Sequence, residues 1–328
     1  MTLSISICEN SMVDELLNFI DSHWRKDHIF VHNQKLFDWQ HKSGSLYNFV
    51  LARQNSEIVG ILGFIPTYQY SNSLKKHNEL WLSIWKVRDD INKPGLGLMM
   101  LNYLKRKFNN PTICAIGLSE QVIPLYKALK YNIGILKHRA FFNQIKRKLI
   151  LAVPDKAQNV NCNINGIQYI DIKEINSIKL SFNLFKTSPT KNKEYIVNRY
   201  LNHPSYEYKF ICFTKNNRLI TLVVYRVIEL QGAKIARVID SFGRNIVDEE
   251  FNNAISSFII EHNFEYLDVV SNLPSIGQSG FISTKHDFVI PNYFEPFEMR
   301  NIEIDFAYKS ENAITIFKGD SDQDRPNL

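Results

Sequence analysis

The sequence predicts an α/β (α+β) protein of two similar domains in tandem, each a mixed, mostly antiparallel sheet flanked by helices. The order strand–turn–strand–strand–helix–strand occurs from residue 46 to 117 and again from 206 to 270, which indicates an internal duplication. The polar stretch 153–166, with Pro, Asn and Gly, separates the copies as a linker. The length of 328 residues suits two domains of about 150 residues. We therefore expect domains at 1–152 and 153–328.

The first half begins with a short strand at residues 3–8. Ser11 then precedes a helix whose first turn carries acidic residues, the usual signature of a helix start. A polar and aromatic connector, residues 23–30, leads to a second helix at 34–42. The remaining predicted elements are strands at 46–53, 57–65, 78–87 and 112–117, helices at 98–108 and 121–131, and further strand to about residue 150.

The second half repeats this pattern with three strands joined by tight turns, then a helix and a short strand. The turns are "KNNR" and "QGAK", both rich in residues that tolerate turn conformations. The predicted strands are 206–214, 219–229, 235–243 and 265–270, and the helix is 247–262.

The composition is that of a soluble globular protein, with 45% hydrophobic and 22% charged residues. The net charge of +6 fits a polyanionic small ligand such as a nucleotide or coenzyme A. It would fit RNA too, but no long Lys/Arg run marks a nucleic-acid surface. A solvated basic surface with no specific partner is equally compatible with this charge.

The four cysteines, Cys8, Cys114, Cys162 and Cys212, are scattered without a C-x-x-C pair. Cys114 and Cys212 lie in apolar, strand-like runs and are expected to be buried, reduced thiols, which implies a reducing compartment. The N-terminus has neither the basic region nor the long apolar region of a signal peptide. The longest apolar tract, 219–228, is shorter than the roughly 20 residues of a membrane span. We expect a cytoplasmic protein without membrane insertion, and no metal site is predicted.

A glycine-bearing turn, "NKPGLG" at 92–97, lies between a strand and a helix. A helix N-terminus presents unpaired N–H groups and a partial positive charge, so a phosphate binds there if the backbone is accessible. Gly95 and Gly97 remove side chains from that approach, Pro94 stiffens the entry, and Lys93 adds a charge. The alternative is a turn with no ligand.

The second half lacks this feature, because "SFGRNIVDEE" places Asp248, Glu249 and Glu250 at the helix start. Acidic residues there suit the helix dipole and would repel a phosphate. Other phosphate-binding motifs are excluded. A dinucleotide fingerprint would need glycine where Met100 stands, and neither a Walker G-K-[ST] nor a complete kinase motif set is present.

"NKPGLG" resembles the (Q/R)-x-x-G-x-(G/A) motif of the Gcn5-related N-acetyltransferase (GNAT) superfamily, with Asn92 in place of Gln or Arg. "LYKALKY", 125–131, resembles the tyrosine element that follows the fifth strand in that superfamily. The resemblance covers about residues 45–140 and implies two tandem GNAT-like domains, the second degenerate. The tail at 315–327 resembles that of tandem members that acylate amino sugars on nucleotide carriers.

The resemblance implies an acyl-CoA cleft where the fourth and fifth strands separate. The pantetheine arm would pair with the strand at Val87, and the pyrophosphate would bind N–H groups of the glycine turn. Tyr126 would protonate the leaving thiolate as general acid, the alternative being a tyrosine that only packs. The implied CoA contacts are Trp85, Val87, Arg88, Asn92, Lys93, Pro94, Gly95, Leu96, Gly97 and Leu98.

Four residues are expected at the acceptor site. Trp24 and His28 lie in the connector that shapes the acceptor pocket in this superfamily, although Trp24 suits a core anchor equally well. Asp240 ends the third strand of the second half, and Arg325 lies in the tail, whose alternative is a disordered terminus. No general base is assigned; the candidates are Glu79, Asp89, Asp90, His28 and Asp240.

The activity implied by the resemblance is acyl-CoA-dependent N-acylation of a nucleotide-linked amino-deoxy sugar for surface-polysaccharide (lipopolysaccharide O-antigen) biosynthesis. Two alternatives stay open. One is a peptidoglycan-type transferase that uses aminoacyl-tRNA, and the other is a non-catalytic module that binds nucleotide sugar or CoA. Whether the protein forms a homodimer is also left open.

Overall fold

The computed structural model describes residues 3–153, 166–172, 175, 178, 180, 182–185, 188–274, 279–285 and 288–326. Almost all of the expected linker, and Cys162 within it, lie outside these residues. Cys114 and Cys212 are buried free thiols, as predicted, and so is Cys8.

The strands alternate with helices along the chain in the predicted order. The strands are β1 (Leu3–Glu9), β2 (Lys42–Ser43), β3 (Leu46–Gln54), β4 (Glu57–Pro66), β5 (Glu79–Val87), β6 (Thr112–Ile116), β7 (Asn132–Ile135), β8 (Lys137–Phe142), β9 (Ile167–Ile172), β10 (Lys209–Lys215), β11 (Arg218–Leu230), β12 (Ala233–Gly243), β13 (Tyr266–Ser271), β14 (Ile282–Ser283) and β15 (Asp305–Lys309).

The helices are α1 (Val13–Phe19), α2 (Ile29–His32), α3 (Gln34–His41), α4 (Leu96–Lys107), α5 (Ile123–Ala128), α6 (Lys193–Ile196) and α7 (Asn252–Glu261). One π-helical turn, Ile20–Trp24, extends α1, and another, Val197–Leu201, extends α6. Short 3-10 turns lie at Asn10–Met12, Thr67–Gln69, Asn72–His77, Phe182–Phe185 and Glu249–Phe251. Helix α5 is shorter than predicted, because the chain turns at Lys130 with a φ of 59°. None of the helices in the described part of the chain is both long and apolar enough to cross a bilayer.

The first sheet has the order β1-β3-β4-β5-β6-β15-β7, with β2 beside β3. Its strands pair antiparallel except β5 and β6, which are parallel and joined through α4. The hairpin between β3 and β4 turns at Asn55 and Ser56, both with positive φ, as the twist of two-residue hairpins requires.

The second sheet repeats this arrangement in the order β14-β8-β13-β12-β11-β10-β9. Its single parallel pair is β12 and β13, joined through α7. The hairpin between β10 and β11 turns at Asn216 and Asn217, again with positive φ. The fold-level duplication predicted from the sequence is therefore present as two similar mixed sheets.

The two sheets exchange strands. Strand β8 precedes residue 152 but pairs with β13 in the second sheet. Strand β15 comes from the far end of the chain and lies between β6 and β7 in the first sheet. The division at 152/153 thus stays a prediction about domains, while the hydrogen-bonded sheets cross it in both directions.

A shared hydrophobic core joins the halves, because side chains of both sheets pack in one cluster. Ile65 and Trp81 of the first sheet belong to it together with Phe210 and Val224 of the second. On the other face of the first sheet, α4 buries Met100, Leu101 and Leu104. Helix α7 buries Ile255, Phe258 and Ile259 in the same way against the second sheet.

Candidate functional site

Strands β5 and β6 pair over four residues and then separate. The pairing runs from Glu79 opposite Thr112 to Leu82 opposite Ala115. From residue 83 to 87, β5 pairs only with β4 among the described strands. One edge of this segment therefore has no neighbouring strand, and an extended ligand could hydrogen-bond to it.

A β-bulge lies where the strands separate. The pairing of β4 with β5 goes from Phe64 opposite Leu82 to Leu62 opposite Trp85, so two residues of β5 face Gly63. A bulge bends the bulged strand, here at the point where β5 leaves β6. Gly63 permits the close approach, since a Cβ there would lie 2.4 Å from the Ser83 hydroxyl oxygen.

The glycine turn lies between the end of β5 and the start of α4. Gly95 is the N-cap with a φ of +81°, and no side chain caps the helix. A Cβ built on Gly95 would meet no atom within 4 Å, so the turn is open on that side. The N–H groups of Gly97 and Leu98 meet no acceptor in the described part of the chain. The turn thus has the free amides and the space that an anion needs.

Trp85 connects this turn to Tyr126. A Cβ on Gly97 would lie 3.0 Å from the Trp85 indole nitrogen, so the helix packs directly on the indole. The Trp85 ring meets the Tyr126 ring edge-on, with centroids 6.2 Å apart. The anion-accepting turn and the predicted general acid are therefore held against the same side chain.

Tyr126 lies on α5 and is 2% exposed. Its hydroxyl has no hydrogen-bond partner among the described residues, yet it is not fully enclosed, unlike the Tyr131 hydroxyl. Burial raises the pKa of Tyr126 above its ordinary value, with a smaller contribution from Tyr131. The phenol is consequently protonated at neutral pH and free to donate its proton.

The charged side chains around the turn mostly bind one another. Arg88, predicted to contact CoA, bonds Asp90 at 2.6 Å and Glu57 at 3.1 Å. Asp89 pairs with Lys86 at 2.7 Å. These pairs fix the approach to the turn. The remaining predicted contacts, Asn92, Lys93, Pro94, Leu96 and Val87, lie along the turn and at the strand end.

The C-terminal tail reaches the separation of β5 and β6. The Ser321 hydroxyl donates to the Leu82 carbonyl at 2.8 Å, the last paired residue of β5. The Gln323 amide donates to the Ile116 carbonyl at 3.3 Å, at the end of β6. Neither residue was expected at the site. Their polar surroundings in the sequence are equally typical of a solvated terminus, and they gave no sign of burial.

Two predicted acceptor residues, His28 and Arg325, lie close together. His28 is 2% exposed, and its Nδ1 accepts from the Phe30 N–H. Burial, with the charges of Arg325 and Arg25, lowers the pKa of His28 to about 3. The Arg325 guanidinium stacks over the Phe30 ring. Trp24, by contrast, is 43% exposed at the end of its π-helical turn, which argues against a core anchor.

Asp240 lies away from this pair, fully buried in the second sheet. Its carboxylate binds the Lys191 ammonium and the Tyr200 hydroxyl, each at 2.7 Å. Lys191 also meets Asp320 of the tail at 2.7 Å. Burial alone would lower the pKa of Lys191, but Asp240 and Asp320 together raise it above its ordinary value. These contacts anchor the tail, and an acceptor contact by Asp240 stays a prediction.

The carboxylates considered as general bases all have partners. Glu79 accepts from the Thr190 N–H at 2.7 Å and the Ser188 hydroxyl at 3.0 Å. Asp89 and Asp90 are held by Lys86 and Arg88. The geometry therefore singles out none of them, and the base stays unassigned.

Comparison with solved structures identifies the fold. A GCN5-related N-acetyltransferase from Anabaena variabilis superposes with a TM-score of 0.57 at 8% identity, over 94% of this chain and 72% of its own. A probable N-acyltransferase from Enterococcus faecalis superposes with a TM-score of 0.52 at 9% identity, over 84% of this chain and 67% of its own. No family model and no curated protein sequence matches the chain. At these identities the likeness is one of fold, and the fold is two GNAT-like units in tandem, as predicted.

Proposed function

We propose that the chain is an N-acyltransferase that uses acyl-CoA as its donor. The observation that carries this proposal is the separation of β5 from β6, with an open glycine turn at the end of the separated strand. An exposed strand edge followed by free helix amides suits a long ligand that has an extended amide-bearing arm and a diphosphate. Coenzyme A has both parts.

In this arrangement the pantetheine arm pairs with residues 83–87 of β5. The pyrophosphate binds at the start of α4, where the N–H groups of Gly97 and Leu98 have no protein acceptor in the described chain. The backbone supplies these contacts, so the Asn92 side chain is not required for them. Lys93 is exposed beside the turn and adds a favourable charge.

The chemistry is a direct attack of the acceptor amine on the thioester carbonyl carbon. A tetrahedral oxyanion forms, which a free N–H of β5 stabilises, and its collapse breaks the carbon–sulfur bond. Tyr126 gives its proton to the departing CoA thiolate. The proton lost by the amine passes to solvent, or to a base that is not yet assigned. The products are an amide and free CoA thiol.

The acceptor is the amine of a nucleotide-linked amino-deoxy sugar, such as a dTDP-3-amino-3,6-dideoxyhexose, used in cytoplasmic steps of surface-polysaccharide biosynthesis. The tail resembles that of the bacterial dTDP-3-amino-3,6-dideoxygalactose N-acyltransferase. Support comes from its position, because Ser321 and Gln323 contact both strands at the point of separation. Arg325 of the tail and the neighbouring His28 are further acceptor contacts.

A screen of thiol release tests this function. Acetyl-, butyryl- and hydroxybutyryl-CoA are each mixed with the protein and a small set of dTDP- and UDP-linked amino sugars. We expect thiol release only when both substrates are present, together with a product mass increased by one acyl group. If titration of CoA into the protein produces no binding heat in calorimetry, the proposal is overturned. Salt-sensitive binding of tRNA without acyl-CoA turnover would favour the aminoacyl-tRNA alternative.

A further inference from the structure

Two adjoining cavities lie beside the tail, outside the separation of β5 and β6. The outer cavity has a volume of about 350 Å³ and is open on one side, and the inner one has about 30 Å³. Both are lined by Gln323, which also bonds the end of β6. The other residues that line both cavities are Tyr293, Glu295 and Arg325.

The walls of the two cavities carry more basic than acidic side chains. Three of the basic groups are neutralised at close range: Arg226 by Asp324 at 3.2 Å, Arg237 by Asp268 at 2.5 Å, and Arg300 by Glu298 at 2.5 Å. Two further acids line the walls: Glu295 accepts from the Tyr206 hydroxyl at 2.9 Å, and Asp322 lies 3.7 Å from Arg325.

Three cations on these walls lack such a partner. Lys318 is 5% exposed, and its ammonium makes no hydrogen bond or ion pair with a described residue, although it lies 5.7 Å from the centroid of the Tyr293 ring. Arg25, at the rim, likewise has no carboxylate within ion-pair distance in the described part of the chain. Arg325 has only Asp322, at 3.7 Å. A buried cation without a counter-charge is unfavourable, so Lys318 favours an anionic ligand in the cavities. The exposed Arg25 and the partly buried Arg325 add positive charge at the same place.

Unsatisfied polar atoms point to the same conclusion. Asn292 is 2% exposed, and neither its Oδ1 nor its Nδ2 has a partner in the described structure. The Nε atoms of Arg226 and Arg325 are also buried and unpaired. All three side chains line the inner cavity. A single water would fit there and satisfy some of these atoms, but it would not neutralise Lys318.

We propose that the outer cavity binds the diphosphate of the acceptor's nucleotide carrier, held by Arg25 and Arg325, with the charge of Lys318 and the unpaired amide of Asn292 in the adjoining inner cavity favouring the anion. The inference rests on the proposed function, since it places one part of the acceptor. The cavities border the separation of β5 and β6 through Gln323, whose amide donates to the Ile116 carbonyl at the end of β6. CoA also carries a diphosphate, so the test must separate the two sites.

Calorimetry with dTDP, with inorganic pyrophosphate and with CoA separates them. We expect Arg25→Gln and Arg325→Gln each to weaken dTDP and pyrophosphate binding about tenfold or more. Both variants should leave CoA affinity within about twofold, since neither residue lies at the glycine turn. Lys26→Gln is the matched control, because Lys26 is an exposed neighbour of Arg25 that lines neither cavity. Arg25 is exposed, so its variant does not threaten the fold.

Lys318 provides a second measurement. Burial and the nearby Arg237 lower the pKa of Lys318 to about 8. Arg226, Asp268 and Asp324 also face it from neighbouring elements. Because the charged ammonium binds an anion and the neutral amine does not, wild-type affinity for dTDP should fall as the pH rises past 8. That fall should be absent in Lys318→Met.

The outcomes distinguish this inference from the proposed function. If dTDP binds the Arg25 and Arg325 variants as tightly as the wild type, or if Gly97→Val abolishes dTDP binding, the diphosphate site is wrong. If CoA binds normally while dTDP gives no heat, the inference fails and the acyltransferase proposal stands. If dTDP binds and CoA does not, the acyltransferase proposal fails, and the cavity pair stands as a nucleotide site.

Discussion

Each sheet has one parallel pair of strands that separates, and the two openings are filled differently. In the second sheet, β12 and β13 pair from Ala236 opposite Leu267 to Val238 opposite Val269 and then diverge beside a bulge. The tail enters there as main chain: the N–H of Gly319 donates to the Ile239 carbonyl at 2.8 Å, and that of Lys318 to the Val270 carbonyl at 3.1 Å. The protein's own backbone thus completes the second opening.

In the first sheet the described part of the same tail contributes side chains rather than main chain. Ser321 and Gln323 bond the two strands at the start of the opening, and no described strand pairs with the edge of β5 beyond Leu82. The helix starts differ as well, because α4 follows an open glycine turn, whereas the second half carries Glu250 bound to Arg244 at 2.7 Å. The same strand geometry therefore has two uses. The opening between β12 and β13, here called the closed opening, holds the tail, whereas the opening between β5 and β6, the free opening, is available to a ligand.

The largest expected effect is on the closed opening. Lys191→Met leaves the buried carboxylates of Asp240 and Asp320 without a cation, which should cost about 3–5 kcal/mol of unfolding free energy. Urea unfolding measures this. Lys209→Met, an exposed change in the same half, should alter stability by less than about 0.5 kcal/mol. Equal stability of the two variants would mean that the tail is not anchored by this ion pair.

The next effect is on the free opening. Tyr126→Phe removes the proposed acid and should lower kcat about 100-fold, with little change in KM for acyl-CoA. Thiol release under saturating acceptor gives both constants. Tyr131→Phe is the control, since its ring packs on Tyr126 with centroids 5.0 Å apart but its hydroxyl is completely buried. An equal fall in both variants would assign Tyr126 to packing alone.

A third change narrows the mouth of the free opening. Gly97→Val would displace the Trp85 indole, which lies 3.0 Å from the position of the new Cβ, and would shield the helix amides. We expect CoA affinity to fall about tenfold, by calorimetry, as when one good contact is lost. Met99→Val, on the same helix but 41% exposed, should bind CoA normally. Unchanged affinity in Gly97→Val would place the pyrophosphate elsewhere.

The smallest effect concerns acid stability in the first half. Burial lowers the pKa of His41 to about 3, with smaller contributions that include the Arg325 charge. The unfolded chain therefore binds a proton between about pH 6.5 and 3 that the native state does not, so stability falls as the pH falls through this window. In His41→Phe the slope of unfolding free energy against pH should decrease by the equivalent of up to one proton. Urea unfolding at pH 7, 5 and 4 measures this slope. An unchanged slope would contradict the shifted pKa.

The local pattern of the sequence predicted the elements that later form the free opening. The glycine turn and α4 stand where they were predicted, because a strand, a G-x-G and an apolar helical period are all local signals. The fold class followed from the same order of predicted elements, which occurs once in each half of the sequence. Tyr126 was singled out by its motif and lies beside Trp85, with ring centroids 6.2 Å apart, while its role as general acid stays a prediction.

The exchanged strands and the buried tail could not be predicted in this way. Strands β8 and β15 each pair with a strand more than a hundred residues away in the sequence. The local sequence of neither strand indicates which partner it will have. Aspartates in a polar tail favour solvent exposure. Asp320 and Asp324 are nevertheless buried, because they form ion pairs with Lys191 and Arg226 of the second half. Pairing across such distances appears only when the fold is assembled.

The exchange of β15 also bears on how the chain folds during synthesis. Proteins of several domains commonly fold from the N-terminus onward as they leave the ribosome. Here the strand between β6 and β7 is made only at Asp305–Lys309, so the first sheet stays incomplete until that segment has been synthesised. Contacts of such long sequence separation slow folding. We therefore expect the first sheet to mature only after β15 has been synthesised, well after its other strands.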